Sequence, residues 1–360
     1  MADAPTPFPP PASLSVADCL RLAIKKNASD VLITAGVPPT LRVNGDLFHT
    51  NVPSLKPDDT QRLIYEVLTA EQTARFERRK ELDFSIAMGD ECRFRVNCYW
   101  QRGAVGAAFR LIPKVIPRLD DLGVPPIMRD LVLRYQGLIL ITGPTGHGKS
   151  TTQAALIDIL NSERRLHIVT IEDPIEFLHA CKNSVVDQRE VGSDTLSFAE
   201  ALRHVLRQDP DVILIGEMRD LETMRTALTA AETGHLVIAT LHTNDAVQSV
   251  DRIIDSFSPH QQSQVRAQLS MCLLAILSQR LLPRKGGGTR VLATELLCNN
   301  PAIANLVREG KTTQIYGIME TQAKAGMHTM DSNLKELYLN GVIEREEARR
   351  RMRSPQLLDI

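Results

Sequence analysis

No Cys-x-x-Cys pair occurs in the 360 residues, and the six cysteines, Cys19, Cys92, Cys98, Cys181, Cys272 and Cys298, are too scattered for a zinc knuckle or a disulfide ladder. They read as reduced thiols of a cytoplasmic protein. Long apolar runs are also missing. The longest, Met271 to Leu277, falls far short of the roughly 20 residues needed to cross a bilayer, and the N-terminus has no basic-then-apolar leader pattern. These absences predict a cytoplasmic chain with no direct membrane insertion, reaching a membrane only through a partner. Neither sign of charge dominates: 42 Lys and Arg face 43 Asp and Glu, so no general field draws the chain to nucleic acid or to an anionic membrane. With 43% hydrophobic and 24% charged residues, the composition is that of an ordinary globular protein long enough for two cores.

What is present is a phosphate-binding loop. Gly143-Pro144-Thr145-Gly146-His147-Gly148-Lys149-Ser150 fits G-x-x-x-x-G-K-[ST] at every fixed position, between an apolar β-branched run (Leu138 to Thr142) and a helical pattern beginning at Thr151. Glycine allows backbone angles and close approaches that a Cβ would block, so successive N–H groups can face phosphate oxygens beside a helix N-terminus. Lys149 adds a point charge toward the β- and γ-phosphates, Ser150 is placed to ligate Mg²⁺, and Thr151 lines the same helix start. The expected ligand is a nucleoside triphosphate with Mg²⁺.

The organisation around the loop follows from punctuation and periodicity. Residues 1–13 are dense in proline and predict an extended, disordered tail. Residues 14–112 read as a small α+β domain: helices near 14–27, 58–68 and 70–80, with strands near 31–34 and 41–43. Within it, Phe94, Val96, Cys98 and Trp100 alternate with Arg93, Arg95, Asn97 and Tyr99. A two-residue hairpin at Arg102-Gly103 would place Arg95 directly opposite Arg110. Like charges in that position are unfavourable unless both are solvated or an anion lies near them. Four prolines mark a linker at 113–126. Residues 127–360 then alternate strands (138–142, 167–172, 211–217, 236–241) with helices, as in a buried parallel sheet, before a mostly helical part from about 259. Ser197-x-x-Glu200 opens a helix as a capping box, Gln261 to Leu282 is one long candidate helix, and Arg290 to Leu297 a strand.

Two acidic stretches end apolar strands. Asp211-Val-Ile-Leu-Ile-Gly-Glu217 has the arrangement of a Walker B strand, whose terminal acid, Glu217, can reach Mg²⁺ or the attacking water. Thr170-Ile-Glu172-Asp173-Pro174-Ile175-Glu176 places three carboxylates at another strand end, where α/β sheets bind ligands, or alternatively forms a solvated acidic turn. His235 and His242, seven residues apart with no adjoining Cys or His set, make a weak metal pair.

At this point the sequence resembles a known family. Leu206 to Asp220 (Leu-Arg-Gln-Asp-Pro-Asp-Val-Ile-Leu-Ile-Gly-Glu-Met-Arg-Asp) looks like the signature of the secretion and pilus motor ATPases, Thr170 to Glu176 resembles their aspartate box, and Thr233-Gly-His235 with Thr240-Leu-His242 their histidine box. Ala230-Ala-Glu-Thr-Gly-His235 and Gly326-Met-His-Thr-Met-Asp331 are similar to the type IV pilus retraction ATPases, the PilT-like branch. The resemblance implies a RecA-like P-loop ATPase domain preceded by a smaller PAS-like α+β domain. It also implies a homo-hexamer at the cytoplasmic face of the inner membrane, working on a pilus platform protein and sometimes alongside other pilus ATPases. It assigns Glu176 as general base, Glu217 as Walker B acid, His235 and His242 as γ-phosphate sensors, and Arg95 and Arg110 as arginines reaching a neighbouring subunit's nucleotide. Three places depart from the pattern: Ala304 stands where the branch has an arginine in its Ala-Ile-Arg-Asn-Leu motif, His147 replaces the usual small loop residue, and Ser29-Asp-Val-Leu lacks the histidine common in the family. The expected function is ATP-driven pilus retraction. The alternatives are an accessory retraction ATPase, an extension or type II secretion ATPase, and a nonhydrolysing nucleotide-dependent scaffold. Extension and secretion ATPases usually carry a tetracysteine zinc site that this chain lacks, and the presence of both Glu176 and Glu217 argues against the scaffold.

Overall fold

Helix starts and strand alternation in the first hundred residues resolve into one antiparallel sheet with helices on its apolar face. A computed structural model of the chain describes residues 13–43, 45–89, 92–112 and 115–358. Residues 1–12 of the expected tail, Asn44, and residues 113–114 of the expected linker lie outside that set. The chain divides into two compact units between Val115 and Ile116.

The first unit contains α1 (Val16–Lys25), β1 (Asp30–Ile33), β2 (Thr40–Val43), β3 (Asp46–His49), α2 (Pro57–Glu66), α3 (Ala70–Arg79), β4 (Glu81–Met88), β5 (Cys92–Gln101) and β6 (Ala104–Ile112). Its six strands are ordered β3-β2-β1-β6-β5-β4, each pair antiparallel. Ser15 caps α1 by accepting the Asp18 N–H, while the Asp18 carboxylate accepts the Ser15 N–H, a reciprocal box that satisfies two otherwise orphaned donors. The alternation in β5 has its expected result: Phe94, Val96 and Cys98 are fully buried, against Phe76 of α3 and Phe109 of β6 among others. Arg102 and Gly103 both take positive φ (47° and 77°), closing β5 on β6 with Arg95 opposite Arg110. Strands β3 and β4 lie beyond what the pattern predicts. In β3 all four residues are exposed, so no alternation betrays it.

The second unit contains α4 (Ile127–Val132), β7 (Gly137–Thr142), α5 (Lys149–Glu163), β8 (His167–Glu172), β9 (Val185–Glu190), α6 (Phe198–Val205), β10 (Val212–Ile215), α7 (Leu221–Glu232), β11 (Leu236–Leu241), α8 (Ala246–Asp255), α9 (Pro259–Cys272), β12 (Leu273–Pro283), β13 (Arg290–Cys298), α10 (Pro301–Glu309), α11 (Ile315–Thr321), α12 (Met330–Leu339) and α13 (Arg345–Arg351). The seven-stranded sheet runs β13-β12-β7-β11-β10-β8-β9, parallel throughout except where β13 folds back on β12. Helices cover the sheet, so β7, β10 and β11 are buried at every residue and read as continuous apolar runs.

Two expectations are corrected. The long helix predicted over Gln261 to Leu282 ends at Cys272, and the next eleven residues form β12. An apolar run of that length is ambiguous by periodicity. Pairing on both sides, with β7 and with β13, satisfies its backbone and decides it for strand. The expected linker at 113–126 belongs largely to the second unit: Leu119 to Leu122 make a short 3₁₀ turn, and Leu119 and Val124 are buried in that unit's core. Pro117, Pro125 and Pro126 therefore belong to a segment that packs.

Candidate nucleotide-hydrolysis site

The parallel sheet brings four strand ends to one edge. β7, β8, β10 and β11 run in the same direction, so the segments after Thr142, Glu172, Ile215 and Leu241 converge at the carboxyl edge, where open α/β sheets bind their ligands. The phosphate loop follows β7. Gly143 has φ 138°, and a Cβ on it would stand 2.3 Å from the Gln279 carbonyl oxygen, so glycine is required there by the approach of β12. Gly148, at φ 84°, caps α5, whose first turn carries no acidic residue to compete with an anion at the helix N-terminus. Pro144, Thr145 and Gly146 form the outer turn, Ser150 and Thr151 are half-buried in the first turn of α5, and Lys149 is buried. The Lys149 ammonium donates to the Gly143 and Pro144 carbonyls at 2.7 and 3.0 Å. Burial pushes its pKa down, an effect that Glu217 and Glu176 both oppose. Two carboxylates therefore lie within electrostatic reach of the loop's lysine.

Glu217 is the less exposed of the two. Its side chain is 18% exposed, and it accepts from Arg219 Nη2 at 2.8 Å and from His242 Nε2 at 2.9 Å. Burial raises its pKa, but the guanidinium and the imidazole outweigh that and hold the carboxyl below the ordinary range. With Nε2–H given to Glu217, the other ring nitrogen of His242 lies 3.4 Å from Thr145 Oγ1. A polar chain thus runs from the outer turn of the phosphate loop through His242 to Glu217 and Arg219. Glu176 is exposed just past the cis Asp173–Pro174 bond, and its backbone N–H donates to the Glu172 carboxylate. Burial raises the Glu172 pKa against the hydrogen bonds from Thr170 and Gln188, so that acid is tied into the strand end and Glu176 is left free to face solvent. No group of three or more His, Cys, Asp or Glu side chains placed to bind a metal occurs among the described residues. The oxygens of Ser150 and Glu217 suit a hard divalent ion that takes its remaining ligands from phosphates and water.

Three sequence expectations change. His235 precedes β11 at the amino end of the sheet, its Nδ1 3.0 Å from the Ala230 carbonyl oxygen. The six-residue strand that follows spans about 20 Å, so within one chain His235 is not at the phosphate edge with His242. The arginines of the first unit lie in a cross-strand row, Arg42–Asp30–Arg110–Arg95–Ser85, each residue directly opposite the next. Asp30 takes Arg110 Nε at 2.8 Å and stands 3.6 Å from Arg42 Nε. The anion that the opposed arginines call for is therefore supplied by the chain itself, at least for Arg110. Sequence spacing could not show this, because Asp30 is eighty residues away. Ser197 caps α6 through the Glu200 N–H, while the Glu200 carboxylate turns to Arg203 and His204, which leaves the expected box half made. Arg219 was a missed residue, although it stands two positions after Glu217 in the signature itself.

The family profile described as Type II/IV secretion system protein matches residues 11–354. The chain belongs to this family. Among its relatives in the type II/IV secretion family, the type IV pilus retraction ATPase PilT of Pseudomonas aeruginosa is 46% identical over 95% of this chain and 99% of its own length. A twitching motility protein of Neisseria gonorrhoeae is 44% identical over 96% of this chain and 92% of its own. A crystal structure of the pilus retraction motor PilT with bound ADP superimposes with a TM-score of 0.91 at 49% identity, covering 96% of this chain and 99% of that one. The fold is that of the family's ATPases, a mixed α/β architecture with two sheets.

Proposed function

We propose that this chain is the ATP-hydrolysing motor of type IV pilus retraction. The observation that carries the reading is likeness to PilT along essentially the whole length of both chains, with a phosphate loop and a Walker B carboxylate joined through His242. Backbone N–H groups of residues 143–150 receive the phosphates of ATP, and Lys149 leaves its loop carbonyls to meet them. A Mg²⁺ ion accompanying ATP would be held by Ser150 and Glu217 and would draw charge from the β- and γ-phosphates. Glu176 takes the proton of the attacking water, and His242 reports on the γ-phosphate through its bonds to Thr145 and Glu217. The chain works as a homo-hexamer at the cytoplasmic face of the inner membrane against a platform protein, and it can assemble with other pilus ATPases. Arg95, which has no ion pair among the described residues, is the arginine best suited to a neighbouring subunit's nucleotide. Deleting the gene and counting surface pili tests the reading. Surplus pili on cells that do not twitch are expected, and bald cells would assign the chain to extension instead.

A further inference from the structure

His147 occupies a variable position of the phosphate loop, yet its side chain has a specific partner. β7 stops at Thr142, paired with Ser278, while β12 continues to Pro283, so beyond Ser278 the edge of β12 that faced β7 loses its strand neighbour. The phosphate loop covers that edge. Gly143 packs on the Gln279 carbonyl, Gln279 Nε2 donates to Thr152 Oγ1 at 2.8 Å, and a Cβ on Gly148 would meet the Leu281 side chain at 3.7 Å. Leu281 N–H donates to His147 Nδ1 at 2.9 Å, and Arg290 Nη1 reaches the Gly146 carbonyl at 3.3 Å. The imidazole thus replaces the missing strand as acceptor for a backbone donor that needs one.

We propose that His147 is a positioning residue for nucleotide binding: by accepting the Leu281 N–H, it fixes the glycine-rich tip of the loop to the β12–β13 hairpin and keeps its phosphate-binding donors arranged. The surroundings keep the acceptor available. Burial, with Arg280, Arg290, Arg351 and Lys149 close by, lowers the His147 pKa, so the ring stays neutral and Nδ1 keeps its lone pair. The hairpin continues into the C-terminal helices, since Leu282 and Ala293 share a cluster with Met330, Leu334 and Ala348. Loop and helical part are therefore joined through the β12–β13 hairpin, with His147 and Arg290 making the hydrogen bonds named above.

The inference rests on the nucleotide-site reading, and the test separates the two. Asparagine places Oδ1 where histidine places Nδ1, so His147→Asn keeps an acceptor while His147→Ala removes it. Release of a fluorescent ADP analogue, N-methylanthraniloyl-ADP, is measured by stopped flow on the full-length protein. Release is expected to quicken about fivefold in His147→Ala, the size of one lost hydrogen bond, and to return within about twofold of wild type in His147→Asn. Amide exchange over 279–283 should rise in the alanine variant and recover in the asparagine variant, with or without nucleotide. Equal release and exchange in all three proteins would overturn the tether, as would an asparagine variant behaving like the alanine one. Failure of wild type to bind the analogue while segment 279–283 still responds would instead remove the nucleotide reading, and the role of the tether in nucleotide binding with it.

Discussion

Replacing Glu217 with glutamine separates chemistry from folding. The carboxylate accepts two bonds, from Arg219 at 2.8 Å and from His242 at 2.9 Å, in a side chain only 18% exposed. Charge-assisted bonds contribute about 1.5–3 kcal/mol each and neutral ones about 0.5–1.5, so the exchange forfeits about 2–3 kcal/mol of interaction with charge at the site. Glutamine can still satisfy both neighbours. Its oxygen can accept from Arg219 and its NH₂ can donate to His242 once the imidazole moves its proton to Nδ1, where Thr145 Oγ1 stands 3.4 Å away. The fold should therefore persist, with a melting temperature within a few degrees of wild type. If the lost term acts in the transition state, turnover falls roughly 30- to 150-fold while nucleotide affinity changes by less than about threefold. Phosphate release under saturating ATP, alongside equilibrium binding of a fluorescent nucleotide, measures both. Turnover within threefold of wild type would refute the assignment, and so would affinity falling in step with turnover.

Other residues give separate expectations. Lys149→Ala should weaken nucleotide binding at least about tenfold, and mixing that protein with Arg95→Ala protein should restore part of the turnover each lacks; no recovery at any ratio would mean that Arg95 acts within its own chain or not at all. Asp30→Asn should cost about 1–3 kcal/mol in urea unfolding, because one carboxylate of low exposure serves the arginine row. Arg110→Ala should cost less than about 1 kcal/mol, its side chain being 70% exposed, and a reversed order would contradict the described pairing. Burial pushes the His179 pKa down to about 4, and its Nδ1 is buried with no hydrogen-bond partner among the described residues. As pH falls from about 6.5 to about 4 the unfolded chain takes up this proton before the folded one does, so stability is lost across that window. His179→Leu should remove on the order of 2 kcal/mol of that acid loss, seen as a flatter pH dependence of the denaturation midpoint.

What the sequence could reveal depended on the range over which each signal acts. The phosphate loop and the Walker B strand were legible because backbone geometry and chemistry there demand fixed residue types within a few positions of one another. The cross-strand Arg95–Arg110 pair was legible for the same reason, through a two-residue turn. Long-range partners were not. Asp30 reaches Arg110 only once β1 has docked on β6, and His147 finds Leu281 only because β12 outruns β7. The strand at 273–283 was hidden because its apolar run suits a helix equally well until β7 and β13 flank it. His235 was grouped with His242 by a shared motif, while the direction of β11 sends them to opposite edges of the sheet.

The central claim, that hydrolysis at Glu217 drives retraction, is tested most directly by measuring twitching in a deletion strain that expresses either the wild-type chain or Glu217→Gln at equal abundance. Restored twitching with the wild-type chain, and surplus pili without movement with the variant, is the predicted result. Full twitching with Glu217→Gln would contradict it.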